Sequence, residues 1–176
     1  DAGRVRTGSG RVWQDGCVSG IRAAVVTVSD GVTQGTRADG SGDAAEALLR
    51  EAGFDVAARA TVPDERPAIE TVLRDLADQR GFALVVTTGG TGITGRDGTP
   101  EAVHPLLDKV LDGFGEMFRS ISYADIKTST LQSRALAGVA NATSVFCVPG
   151  SSGACATAWD ELIAAQLDAR TRPCNL

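Results

Sequence analysis

The chain has 176 residues, an ordinary globular composition with 43% hydrophobic residues, and a formal net charge of -5. That length fits one domain with a proper buried core. The acidic balance argues against a nucleic-acid or anionic-membrane partner, since either needs a basic surface, and no apolar run is long enough to span a bilayer.

Asp1 to Gly20 is polar and glycine-rich and lacks the apolar middle of a signal peptide. It reads as a flexible arm ahead of a single domain over 21–176. Val12-Trp13 is its one anchor candidate, and Arg4, Arg6 and Arg11 form at most a weak anionic-ligand arm. Ile21 to Val28 reads as the first strand. A loop follows from Ser29-Asp30-Gly31 to Asp39-Gly40-Ser41-Gly42. Ser41 is placed to cap a helix with Ala44, Ala45, Leu48, Leu49 and Ala52 on its apolar face. Phe54 to Val62 is a second strand, its alternation interrupted at Ala57-Ala58. In the turn Pro63-Asp64-Glu65-Arg66-Pro67, Asp64 is placed to cap the next element. That element carries the helical stripe Ile69, Val72, Leu73, Leu76, Ala77, and a central strand at Phe82–Val86 follows.

This β-α-β-α-β order predicts an α/β fold with a mostly parallel sheet and helices on both faces. The loops Ser29–Gly42, Pro63–Pro67 and Thr88–Pro100 are then expected on one rim. Further on, a helix is predicted from Glu101 through Leu107, broken over Val110–Glu116, with another around Met117–Tyr123. Thr128–Arg134 is rich in hydroxyls, Asn141-Ala142 reads as a turn, and Ser144–Val148 as the last strand before a helix with Ala156, Trp159, Ile163 and Leu167. Cys17, Cys147, Cys155 and Cys174 form no CxxC pair, and His104 is the single histidine. Reduced thiols in a cytoplasmic protein are the expectation, not a zinc site.

The stretch Thr87 to Pro100, TTGGTGITGRDGTP, leaves the carboxyl end of the central strand, where α/β folds bind ligands. Glycines let a phosphate approach the backbone, and threonine hydroxyls and N–H groups can bond its oxygens. Arg96 can neutralise the charge. The loop lacks the GK[ST] ending of a P-loop, and it is not a GxGxxG following the first strand. No GxSxG elbow is present, and a lone histidine on an apolar helix reads as a partly buried or surface residue. Asp39 and Asp64 sit where turn and cap aspartates are common. Asp97 differs, because an acid inside a phosphate-binding loop repels its ligand unless a cation intervenes. That argues for Mg²⁺ with a nucleotide or another polyphosphate, and for phosphoryl or nucleotidyl transfer without a protein nucleophile.

Several motifs occur together: Thr88-Gly89-Gly90-Thr91-Gly92, Arg96-Asp97-x-Thr99-Pro100, Gly113-Phe114-Gly115-Glu116, Leu131-Gln132-Ser133-Arg134 and Pro149-Gly150-Ser151. In this order and spacing, from about Ile21 to the end, the chain resembles the MoaB/Mog family of molybdenum-cofactor biosynthesis proteins. The ending Ala165 to Asn175 looks like the MoaB branch.

The resemblance implies a three-layer α/β/α sandwich assembled as a trimer or a hexamer. It implies adenylylation of molybdopterin with Mg²⁺ and ATP, releasing pyrophosphate, and contact with other molybdenum-cofactor enzymes. By motif, Asp97 would match the catalytic, magnesium-linked aspartate and Asp64 the second important acid. Thr88 and Gly89 to Gly92, with Thr91, Arg96 and Thr99, would match the nucleotide-phosphate loop. Ser29, Asp30, Asp39, Ser41 and Gly42 match the family's first-loop pattern, and Ser133, Arg134, Pro149, Gly150 and Ser151 match segments lining the pterin and nucleotide pocket. One departure is that Ser152-Gly153-Ala154 supplies no cation after Pro149-Gly150-Ser151, where this branch often has a lysine. The alternative reading is a non-catalytic molybdopterin-binding or scaffold protein of the same pathway. A further one is a nucleotide-binding α/β protein outside it.

Overall fold

The structure is a computed structural model that describes residues 5–6, 12–13, 20–168 and 176. Arg4, Arg11, Cys17 and Cys174 lie outside these residues, as do most of the predicted arm and the segment 169–175. Val5–Arg6 and Val12–Trp13 pair antiparallel, with Val5 opposite Trp13.

Six strands form the main sheet. They are β1 (Arg22–Val28), β2 (Asp55–Val62), β3 (Leu84–Thr88), β4 (Lys109–Val110), β5 (Leu136–Ala140) and β6 (Thr143–Val148), in the spatial order β2-β1-β3-β6-β5-β4. The first three pairings are parallel and the last two antiparallel. Burial follows the pleat. Ala23, Val25, Leu84, Val86, Phe146 and Val148 enter one core, while Ala24, Val26, Val85, Val145 and Cys147 enter the other. A strand buried on both faces reads as a continuous apolar run, which is why β1 and β3 were legible. β2 lies at an edge. Its pairing with β1 slips by one residue between Ala23 and Ala24, so Ala57 is the extra residue of a bulge where the alternation faltered.

Helices cover both faces. On one side lie α2 (Gly40–Glu51), α5 (Asp112–Ile126) and α6 (Ser152–Ala158), the last continuing through a π turn (Trp159–Ile163) into α7 (Ala164–Leu167). Their core is aromatic: Phe54 meets Trp159 edge-on at 6.1 Å, and Phe114 meets Phe146 at 5.2 Å. On the other side lie α3 (Arg66–Arg74), which runs into a π turn at Asp75–Gln79, and α4 (Thr99–Val103). Ile69, Leu73 and Leu76 are fully buried there, as the stripe predicts. A short α1 (Asp30–Thr33) lies at the end of β1. The result is the expected three-layer α/β/α sandwich. No helix among the described residues is long and apolar enough to cross a membrane.

Four details differ from expectation. The central strand begins at Leu84, because Phe82 instead folds beneath the sheet with the Arg22 and Arg80 guanidinium groups over its ring. The predicted break at Val110–Glu116 is mostly helix. α5 starts at Asp112 and passes through Gly113 and Gly115, the latter tucked against the Ala135 carbonyl. Asp39, not Ser41, caps α2. Asp64 does not cap α3, whose head is Glu65, but accepts the N–H of Asp30 at the start of α1. The turn at Asn141-Ala142 is as expected, with φ of 45° and 62°, the geometry of a tight hairpin between β5 and β6.

Candidate functional site

The carboxyl ends of β1, β2, β3 and β6 converge on one rim. The Ser29 N–H donates to the Val62 carbonyl at 2.9 Å, and the Gly89 N–H donates to the Val148 carbonyl at 3.0 Å, so the ends of the four strands are joined in two pairs, β1 to β2 and β3 to β6. Between them lies a cavity of about 250 Å³ lined by loops from all four strands, with Asp64 and Asp97 in its wall.

The glycine turn forms the floor. Gly89 and Gly90 have φ of +104° and +64°, where side chains are disfavoured. Space forbids a side chain as well. A Cβ on Gly89 would strike the Val28 carbonyl oxygen, and one on Gly90 would strike the Thr99 hydroxyl. The expected threonine donors face into the protein. Thr99 donates its hydroxyl proton to the Gly89 carbonyl at 2.9 Å, and Thr88 donates to the Pro149 carbonyl at 3.1 Å. Thr91 is buried, and its carbonyl accepts the Arg134 N–H. These threonines shape the loop, leaving the backbone to meet a ligand.

Arg134 holds the same loop from behind. Its Nε donates to the Gly92 carbonyl at 2.7 Å and its Nη2 to the Asp97 carbonyl at 2.9 Å, while Nη1 pairs with Glu101. The Ser133 hydroxyl is buried beside it. Arg96 turns outward, its guanidinium forked on both oxygens of Asp30 at 2.9 and 2.8 Å. Asp39 is likewise engaged. It accepts from the Thr27 hydroxyl at 2.7 Å, the Gly42 N–H at 2.9 Å and Arg59 at 2.8 Å. Ser29 caps α1 and Ser151 caps α6, while Ser29, Ser41 and Gly150 line the cavity. His104 is exposed and lies outside it.

The two acids at the cavity are tuned in opposite directions. Burial pushes the Asp64 carboxyl up, and the neighbouring charges of Asp30 and Asp97 add to that push, against a bond from the Asp30 N–H. Burial would also raise Asp97, but the Thr94 hydroxyl and N–H, at 2.6 and 2.8 Å, and the Gly92 N–H outweigh it and hold the carboxyl low. The acids press on the glycine turn: Asp64 Oδ1 and Asp97 Oδ2 lie 3.1 and 2.9 Å from where a Cβ would stand on Gly90 and Gly92. Groups with diverging proton affinity in one cleft make it a candidate functional site.

Residues 24–169 match the family model described as "Probable molybdopterin binding domain". The chain belongs to this family. It is 49% identical over 154 residues to molybdenum cofactor biosynthesis protein B of Escherichia coli K12, covering 88% of this chain and 89% of that protein. It is 46% identical over 149 residues to the protein of that name from Bacillus subtilis, covering 84% and 86%. Among solved structures, MoaB of Thermus thermophilus superposes with a TM-score of 0.75 at 36% identity, covering 88% of this chain and 98% of that one. The tungsten cofactor synthesizing MoaB of Pyrococcus furiosus gives 0.75 at 38% identity, covering 84% and 92%.

In this domain the residues that the motifs single out divide their tasks, and Gly42, Thr91, Gly92, Ser133, Pro149 and Ser151 do not line the cavity. Asp64, Asp97, Ser29, Ser41, Thr88, Gly89, Gly90 and Gly150 line the cavity. Asp30, Asp39, Arg96, Thr99 and Arg134 brace its walls. Sequence reasoning missed Thr27 and Val28 at the end of β1 and, in the loop beyond it, Val32, Arg37 and Ala38, which also line it. The available signal for the last three was position alone, since they lie in the loop expected on this rim.

Proposed function

We propose that this chain acts in molybdenum cofactor biosynthesis, and that the rim cavity transfers AMP from ATP to molybdopterin with release of pyrophosphate. The pathway reading is supported by the names of the relatives. The observation that carries the chemistry is the pairing of Asp64 and Asp97 in one cavity floored by the backbone of Gly89 and Gly90.

In the transfer, an oxygen of the terminal phosphate of molybdopterin forms a bond to the α-phosphorus of ATP. The bond from that phosphorus to its bridging oxygen breaks, and pyrophosphate leaves with the electron pair. No protein nucleophile is required; positioning and charge balance suffice. The backbone of the glycine turn receives the phosphates, and the Arg134 clamp and the Thr99 hydroxyl fix the turn before a ligand arrives.

Among the described residues no group of three or more acidic, histidine or cysteine side chains could enclose a metal. Mg²⁺ does not need such a cage, because it commonly sits on one or two carboxylates and completes its shell with phosphate oxygens and water. The donor set fits, since Asp64 and Asp97 line one cavity and a cation held there would offset their like charges. Asp97 would hold the ion with Asp64 beside it. When bound, the ion would neutralise charge on the transferring phosphates. Asp97 is kept ionised for this by Thr94.

Self-assembly into a trimer or hexamer forms part of the proposal. Met117, Tyr123 and Ile126 on α5 and Leu131 beyond it are large, apolar and exposed.

Binding without transfer is the second reading, favoured by the head of α6, where Ser152 and Gly153 offer no cation. The deciding experiment mixes protein, molybdopterin, ATP and Mg²⁺ and follows AMP transfer and pyrophosphate release. Transfer establishes the enzyme, and molybdopterin binding without transfer establishes the second reading.

A further inference from the structure

The cavity places two carboxylates where a phosphate chain would lie, and the charge of one already bears on the other. The two arginines that the motifs single out act on these acids only through space, Arg96 on Asp64 and Arg134 on Asp97, and make their ion pairs elsewhere. Arg96 is forked on Asp30, with Glu65 also near it at 3.8 Å. Arg134 is occupied by Glu101 and by two loop carbonyls.

Arg37 is different. It lines the cavity together with Asp64, Asp97, Gly89 and Gly90, and its side chain makes no hydrogen bond or ion pair among the described residues. The loop that carries it is nonetheless ordered by its backbone. The Gly35 N–H donates to the Val32 carbonyl at 3.0 Å, and the N–H groups of Thr36 and Arg37 donate to the Gly31 carbonyl at 2.9 and 3.1 Å. The Arg37 stem lies over Gly31, with its Cβ 3.4 Å and its Cδ 3.9 Å from where a Cβ would stand there. With its stem resting on Gly31, Arg37 leaves an unpartnered guanidinium open to an anion, and the planar fork suits two phosphate oxygens at once.

We propose that Arg37 is the phosphate-binding cation of this site, contacting a phosphate of the bound nucleotide or pterin across the cavity from Asp64 and Asp97. This rests on the reading of the cavity as a phosphate site. It transfers to Arg37 the neutralising task that the loop sequence suggests for Arg96.

The test uses the full chain with Mg²⁺ as wild type, Arg37→Ala, Arg37→Lys and Arg74→Ala. Arg74 is a control of equal charge at the opposite end of the sheet. Each protein is titrated calorimetrically with ATP, tripolyphosphate and molybdopterin. Arg37→Ala is expected to weaken a phosphate ligand about tenfold to a hundredfold, with partial recovery in Arg37→Lys and none of the loss in Arg74→Ala. Its unfolding midpoint should match wild type, since the side chain has no partner to lose. A loss on ATP and tripolyphosphate alone assigns the contact to the nucleotide, and a loss on molybdopterin alone assigns it to the pterin phosphate. Wild-type affinity of Arg37→Ala for all three ligands overturns the inference and leaves the proposed function standing. Failure of the wild type to bind any of them overturns the phosphate-site reading and the inference with it.

Discussion

Asp30 and Asp64 hold each other by reciprocal bonds. The Asp64 carboxylate accepts the Asp30 N–H at 2.8 Å, and the Asp30 carboxylate accepts the Asp64 N–H at 3.1 Å. The pair joins the ends of β1 and β2 and sets Asp64 at the cavity wall. Asp64→Asn keeps an acceptor oxygen but removes the charge. We expect its urea midpoint to stay close to wild type while pyrophosphate release falls about a hundredfold or more. Asp64→Ala also strands the Asp30 N–H, adding a stability loss of about 1 kcal/mol. Turnover of Asp64→Asn within a few fold of wild type would remove Asp64 from the chemistry.

The opposed proton affinities of the two cavity acids can be read directly. In metal-free protein, carboxyl carbon NMR should show Asp64 titrating above its ordinary value of 3.8 and Asp97 below it. Linkage gives the signs. Asp97, lowered on folding, contributes stability present above the ordinary value and lost as pH falls through its own. Asp64, raised on folding, does the reverse, and its contribution declines as pH rises through its raised value. Asp97→Asn should bring Asp64 down towards 3.8, because one of the neighbouring charges that raise it is gone. An Asp64 that does not move would show that burial and the Asp30 charge raise it without Asp97.

Asp97→Ala should abolish turnover and leave the fold intact. The bonds that it breaks run to the Thr94 N–H and hydroxyl and to the Gly92 N–H; Thr94 is exposed and Gly92 half-buried, so water can replace them. The stability change should stay within about 1 kcal/mol. An unchanged rate of pyrophosphate release would sink the assignment of Asp97.

The sheet was legible because β1 and β3 are buried on both faces and read as unbroken apolar runs, and the rim followed from strand order. The start of α5 was not legible: Gly113 and Gly115 look like a break, yet Gly115 is required by the nearby Ala135 carbonyl, a contact distant in sequence. The site divided in a similar way. Residue type marked Asp64, Asp97 and the glycine turn, but not which arginine would be free. Arg96 and Arg134 acquire their partners from loops far along the chain, and such long-range pairing leaves no local signal.

Asp39 was expected among the ligand contacts, but its carboxylate is engaged by Thr27, Gly42 and Arg59. Asp39→Ala should therefore behave as a lost helix cap, costing about 2 kcal/mol in chemical unfolding near neutral pH. Burial alone would raise its carboxyl, but the bonds from Thr27, Arg59 and Gly42 bring it below 3.8. Its contribution is thus present above that value and lost as pH falls through the lowered one. The gap between mutant and wild type should narrow in strong acid. A mutant that loses ATP affinity with no loss of stability would return Asp39 to the ligand.

Gly89→Ala tests whether the floor of the cavity is set by backbone geometry. The added Cβ would meet the Val28 carbonyl oxygen, which belongs to strand β1 and cannot swing aside as a side chain tip would. The residue would also sit at φ of +104°. Both effects act in the same direction, and we expect a loss of about 3 kcal/mol in urea unfolding together with loss of ATP binding. Gly95→Ala separates this from a general sensitivity of the loop, since nothing lies within 4 Å of a Cβ there. That variant should be near neutral in stability, and equal damage from both substitutions would contradict a floor specified at Gly89.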